Sequence, residues 1–252
     1  MVFLGHLKVI TLVSAFFVIN ATSAGHHEEG EIKSAMDEAL SSQSDDTKAR
    51  YIYRNPKETM SFFDINEGMT VVEALPGGGW YTKILVPSLG AEGTLVGANY
   101  PTAIFKNFGY DDERIAKLKS WATDWPAQVD EAKPENSANV SGFVMGELPP
   151  EMAGTADRFL FIRALHNLAR FEGDGGHLTT ALKSAYDILK PGGIVGVVQH
   201  EAPESATDAW ASGSNLSLIH ISEPTRRYAI SYAVLCLNKK RGGGGGGGGG
   251  GG

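Results

Sequence analysis

The chain has 252 residues, a formal net charge of −7, a hydrophobic share of 42% and one cysteine, Cys236. That balance fits a globular domain with its own core and disfavours a nucleic-acid partner, because no basic stripe offsets the acidic excess. A lone cysteine also excludes a disulfide framework.

At the amino terminus His6 and Lys8 precede an apolar run at 9–18, followed by the small residues Asn20-Ala-Thr-Ser-Ala24. This order is that of a secretory signal peptide, and the run is short for a membrane span. Residues 1–24 therefore read as a signal peptide, and the mature chain as exported, periplasmic or secreted, with no stable membrane association after cleavage. Residues 25–65 read as N-terminal helices. Ile32, Met36 and Leu40 recur every four positions, which predicts an amphipathic helix over 29–40. A polar linker at 41–46 follows. In Arg50-Tyr-Ile-Tyr-Arg54-Asn-Pro56 the proline can open a helix through Met60 and Phe63. Arg50 and Arg54 either reach a carboxylate in a pocket or are solvated surface cations.

Residues 66–215 carry the main pattern. Asn66-Glu-Gly-Met69 is a turn, and Thr-Val-Val-Glu-Ala at 70–74 is a strand that ends in the acid Glu73. Leu75-Pro76 leads into Gly77, Gly78 and Gly79, directly before a helix over 80–89. Glycine suits a turn that needs positive φ or close approach of a ligand to the backbone. A second strand, 93–99, ends at Asn99. The stretch 103–139, with Ile115, Leu118, Trp121 and Trp125, either caps the pocket or is a surface helix burying its tryptophans. Strands at 139–145 and 157–163 follow, the latter running into Leu165-His166-Asn167-Leu168. A helix at 176–190 has Leu178, Leu182, Ala185 and Leu189 on one face. It stops at Pro191-Gly192-Gly193, before a fifth strand at 194–198 that leads to Gln199-His200. Strands alternating with helices predict an α/β, three-layer α/β/α Rossmann-like fold with a parallel sheet.

In order and spacing, the Glu73 strand with its glycine loop, the Asp157 strand with Leu165-His166-Asn167-Leu168, and Leu189-Lys190-Pro191-Gly192-Gly193 before a strand resemble the class I S-adenosylmethionine-dependent methyltransferases. The Pro-Gly-Gly-Gly-Trp-Tyr-Thr loop is most similar to that of exported predicted members. The resemblance implies S-adenosylmethionine as cofactor and a small-molecule acceptor. It implies that Gly77, Gly78 and Gly79 lie against the methionine part and that Glu73 organises its amino group. Asn99 stands where the family has a ribose-gripping acid, and Glu147 where it has an acid near the adenine. Leu75 replaces the first glycine of the family loop. Methyl transfer is an in-line displacement that depends on holding the acceptor aligned. An acceptor that must lose a proton needs a base, for which His166 and His200, each just past a strand, are the candidates.

Two rival readings remain. A nicotinamide-dependent oxidoreductase is disfavoured by Thr82, Trp80 and Tyr81 at the helix entry and by the missing acid at position 99. A non-catalytic binding protein on the same fold is favoured by export and by the departures at Leu75 and Asn99. No metal site is read, since neither paired histidine spacing nor a cysteine pair occurs.

Beyond Asn215 the chain changes character. Residues 216–226, the apolar stretch 230–237 and the closing glycines resemble an in-frame translation of a transposase-type sequencing adapter followed by a run of G. The resemblance implies a gene product truncated near Asn215, with its last strands missing. It also implies a disordered, artefactual tail over 216–252 that forms no native element.

Overall fold

The sequence Thr-Val-Val-Glu-Ala at Thr70–Ala74 (β1) buries both of its faces, so it needs a strand on each side and a helix layer above and below. A computed structural model supplies them. It describes residues 34–199 and the backbone of strand Ser231–Leu235. All of these belong to the second of two units, Met1–Ile32 and Lys33–Gly252. The expected signal peptide and the start of the 29–40 helix lie outside the described residues.

Thr94–Asn99 (β2), Asn139–Val144 (β3), Ala156–Ile162 (β4) and Leu189–Gln199 (β5) form with β1 a parallel sheet, which a strand at Ser231–Leu235 (β6) extends. The strand order is β3-β2-β1-β4-β5-β6. Succession along the chain reverses direction between β1 and β4, and the carboxyl ends beside such a switch point are where open α/β sheets bind ligands. Val71 and Leu160 face one core with Met60, Leu85 and Trp125, while Val72 and Phe159 face the other with Phe105, Leu168 and Ile188. The three-layer fold read from the alternating pattern is thus present.

The helices are shorter and more numerous than the periodicity suggests. Ala35–Ser41 (α1) is capped by Ser34 and Asp45–Lys48 (α2) by Ser44, each side chain accepting from a backbone N–H three residues on. The expected linker at 41–46 therefore runs into α2. Tyr51–Arg54 (α3) ends at Asn55, held at φ 41°, and Pro56 opens Pro56–Phe62 (α4) as expected. Thr82–Ser88 (α5) is the first crossover. The 103–139 stretch breaks into a 3-10 helix at Thr102–Phe108, then Asp112–Lys117 (α6), a 3-10 turn at Leu118–Ser120 and Trp121–Ala132 (α7). Trp125 lies on Gly97 of β2, where an added Cβ would stand 2.4 Å from the indole ring. Trp121 stacks on Trp125 at 5.3 Å, so α7 is the tryptophan-burying helix and not a cap on the pocket described below. Leu165–Arg170 (α8), Glu172–Gly175 (α9) and His177–Ile188 (α10) complete the layer over the other face.

Two expectations are corrected. The fifth strand begins at Leu189 and not at Ile194, because Leu189 already pairs with Ala156 across a register shift that absorbs Pro191 and the glycines. The 216–252 span, expected to be disordered and to form no native element, contributes β6, which pairs antiparallel with β5 from Gln199↔Ser231 to Val195↔Leu235. The reason is local. Ser-Tyr-Ala-Val-Leu favours extended backbone, and the edge of β5 offers unpaired N–H and C=O groups to any strand that can reach it.

Candidate functional site

Glu73 sits one residue before the end of β1, between Gly97 of β2 and Leu160 of β4. Its alternation places the carboxyl under α5, where Thr82 Oγ1 donates to Oε2 at 2.7 Å. The group is only 4% exposed. Burial raises its pKa from 4.5 to about 7, against the opposing pull of the Thr82 hydrogen bond and of the Arg54 charge. A buried carboxyl that changes charge near neutrality can meet a ligand cation or hold a proton.

The turn after Glu73 alternates into the left-handed region, with Leu75 at φ 50°, Gly77 at φ 56° and Gly79 at φ 71°. Gly79 N–H donates to Pro76 O at 2.9 Å and Lys83 N–H to Gly79 O at 3.1 Å, which closes the turn onto α5. Gly78 faces open space, since no atom lies within 4 Å of a Cβ built on it. Leu75 holds a left-handed backbone form that suits glycine, at a cost for an L-residue of roughly 1–2 kcal/mol. Its N–H is tied to Ala98 O at 2.7 Å. The end of β4 repeats the arrangement: Arg163 has φ 58° and donates its N–H to Val198 O at 2.7 Å. Strained backbone thus marks the ends of the two strands that flank the switch point.

Between these ends and the N-terminal helices lies a cavity of about 830 Å³. Glu73, Leu75 and Gly78 form one wall, Trp80 and Tyr81 another. Arg163 and His166 close it from the β4 side, and Arg50 and Arg54 from α3. Arg50 directly precedes α3 and Arg54 is its last residue, and both line the cavity. The Arg54 guanidinium lies 4.6 Å from the Trp80 ring centre and 5.6 Å from that of Tyr81. Tyr81 Oη donates to Arg54 O at 3.2 Å, which ties α3 to the glycine turn. Of the two readings for Arg50 and Arg54, the structure gives both a place on the cavity.

His166 faces Gln199, whose Nε2 lies 3.0 Å from the ring Nδ1. Gln199 is 4% exposed and its Oε1 has no partner among the described residues. With the amide nitrogen toward the ring, Nδ1 accepts and the proton of the neutral ring sits on Nε2. A role for this imidazole as a base then requires the other tautomer. His200 lies outside the described residues.

Glu73 and Gly78 thus meet His166 on one cavity, while Asn99 and Glu147 lie apart from it. Asn99 is 4% exposed and its Oδ1 accepts from Tyr100 N–H at 2.9 Å, so the carboxamide is turned onto its own chain. Glu147 is exposed, in the turn after β3. Tyr100 is buried and its hydroxyl donates to Ala164 O, so a side chain from the end of β2 bridges to the loop after β4, over the end of β1. Burial pushes the Tyr100 hydroxyl well above its ordinary pKa. Asp157, expected within the fourth-strand pattern, is at the opposite end of β4, accepting from Thr70 N–H and pairing with Lys190 at 2.8 Å; its part is structural. Sequence reading missed Thr82, Arg163 and Gln199. For Arg163 a signal was present: a cation directly after an apolar strand whose end borders a pocket. Thr82 and Gln199 have partners, Glu73 and His166, that only the packing brings near. Among the described residues no group of His, Cys, Asp and Glu is placed to hold a metal ion.

No family model and no curated protein matches the chain. Among solved structures, it resembles a SAM-dependent methyltransferase from Aquifex aeolicus at 16% identity and TM-score 0.43, over 68% of this chain and 77% of that one. It resembles the YcgJ protein of Bacillus subtilis at 17% and 0.38, over 61% and 53%. A third is a putative methyltransferase from Bacillus halodurans, at 17% and 0.39, over 64% and 56%. The chain thus spans between about half and about three-quarters of the length of these structures. At TM-scores below 0.5 these likenesses do not bear on what the chain does.

Proposed function

We propose that this protein is a methyltransferase that uses S-adenosylmethionine and acts on a small molecule outside the cytoplasm. The observation that carries the reading is the β1 end. A buried carboxyl, Glu73, stands beside an open glycine turn in which Leu75 holds a left-handed backbone form that suits glycine. These residues fit the methionine half of the cofactor: Glu73 for its ammonium group, the Gly78 backbone for close approach. The nucleoside half fits less well as placed, because Asn99 is turned onto Tyr100 N–H and Tyr100 bridges to Ala164.

When bound, the cofactor supplies an activated methyl group for in-line displacement. The chain's own residues hold the acceptor, exclude water and move its proton. The cavity walls do the first two, and His166 is the group on the cavity suited to the third when its Nε2 is unprotonated. Calorimetric titration of S-adenosylmethionine into the full chain tests the reading. Binding at about micromolar Kd that is lost in Gly79→Arg supports it, and no heat at about millimolar cofactor, by protein shown to be folded, refutes it.

The Tyr100 bridge favours a second reading, a binding protein without catalysis. That reading expects a ligand for the cavity and no response to S-adenosylmethionine even in Tyr100→Ala, where the bridge is gone.

A further inference from the structure

Three arginines converge on the cavity against two carboxyls, Glu73 and Asp46. Arg50 and Arg163 are exposed on its rim and Arg54 is half-buried deeper in. Among the described residues none of them takes part in an ion pair, whereas Arg158 and several lysines of the same domain are paired. Burial first, and then the neighbouring Arg50 and Arg163, lower the pKa of Arg54 against the opposing pull of Tyr81 and Glu73, the direction expected where like charges gather in a poorly solvated place. Among the described residues two donors on this lining are buried and unpartnered, Arg54 Nε and Trp80 Nε1. A buried donor without an acceptor costs free energy that only an incoming acceptor recovers. The carboxyls on the cavity do not meet this need: Glu73 takes the Thr82 hydroxyl, and Asp46 forms no ion pair with the arginines.

We propose that this cavity binds the oxyanion of a small organic molecule, a carboxylate or phosphate taken up by Arg54 Nε, Trp80 Nε1 and the Arg50 and Arg163 guanidiniums, and that this molecule is the methyl acceptor. The oxyanion site stands on the cavity alone, and the acceptor role rests on the methyltransferase reading. Guanidinium groups suit planar, bidentate oxyanions, and a cavity of about 830 Å³ is the size of a small-molecule site. The Trp80 and Tyr81 rings beside Arg54 favour an anion carried on a flat, partly apolar body.

The test follows the Trp80 indole Nε1–H by 15N–1H NMR of the full chain, the signal being assigned through Trp80→Phe. Benzoate and phenyl phosphate are the probes and benzyl alcohol is the neutral control. A saturable downfield shift is expected with at least one anion and not with the alcohol. The affinity should fall about tenfold in Arg50→Gln and in Arg163→Gln, as for the loss of a charge-assisted hydrogen bond. Both side chains are exposed, so these variants should fold. No saturable shift up to about 50 mM of either anion, a regime far weaker than millimolar binding, or an equal response to benzyl alcohol, overturns the site. The titration is repeated with saturating S-adenosylhomocysteine. An unchanged anion affinity supports the acceptor role. Competition means that the arginines hold the cofactor's own carboxylate and overturns that role. Anion binding by a protein that does not bind S-adenosylhomocysteine refutes the methyltransferase reading and supports the anion site.

Discussion

Replacing Glu73 by glutamine isolates the cost of a carboxyl held inside the sheet. Glutamine keeps an oxygen to accept the Thr82 hydroxyl and replaces the titrating oxygen with an uncharged NH2 group. Below about pH 4.5 the carboxyl is protonated in both folded and unfolded chains, and the two proteins should be about equally stable. As pH rises through 4.5 the unfolded chain releases its proton first, while the folded chain keeps it to about 7. Unfolding then releases a proton, so stability falls with pH across that window and levels off above it. At about 1.4 kcal/mol per pH unit, moving the group from 4.5 to about 7 costs about 3 kcal/mol at the plateau. The assay is urea unfolding of both proteins at intervals from about pH 5 to about pH 8, taking the difference at each pH so that groups common to both cancel. Glu73→Gln should gain on the wild type steadily and be the more stable by about 2–3 kcal/mol at the upper end. A difference that stays flat across the window would mean that Glu73 is ionised throughout, and the argument from burial would fail.

Three further outcomes test other parts of the structure. Gly97→Ala places a methyl against the Trp125 ring and should cost about 1–3 kcal/mol by overpacking, with an altered near-UV tryptophan signal; an unchanged urea midpoint would mean that α7 does not rest on β2. Tyr100→Phe leaves the buried Ala164 carbonyl without its donor and should cost about 1–3 kcal/mol, whereas equal stability would refute the bridge. In 15N–1H spectra of the neutral imidazole, His166 should carry its proton on Nε2 in the wild type and mix tautomers in Gln199→Leu; a wild-type proton on Nδ1 would place the Gln199 oxygen, not its nitrogen, toward the ring.

The strained backbone at Leu75 and Arg163 links the fold to the cavity. Each residue follows a central strand, adopts positive φ and fastens its N–H to an adjacent strand. The result is that the chain leaves β1 and β4 sharply, on opposite sides of the switch point, and the gap between the two exits becomes the cavity. The strain is borne by the hydrogen bonds and packing around it, which is why a leucine can hold a position that suits glycine.

The sequence by itself determined the elements and their class. Short apolar runs at 70–74, 94–99 and 156–162, buried on both faces, can be satisfied only by a parallel sheet covered on two sides, and the acid and glycines at the end of the first run mark the carboxyl end of the sheet, where open α/β sheets bind ligands. Those signals are local, carried by residues next to one another in the chain. What only the tertiary structure decided was which side chains share the cavity. Arg54, Trp80, Arg163 and His166 come from three separate segments, and nothing in their spacing brings them together. Conversely, Asn99 and Glu147 occupy expected places along the chain and still fall outside it. Asn99 turned inward, its Oδ1 accepting from the next N–H, and Glu147 stayed in water, where a charge incurs no desolvation cost. Strand ends can be read from pattern, but the direction in which a polar side chain turns depends on the partner that packing delivers.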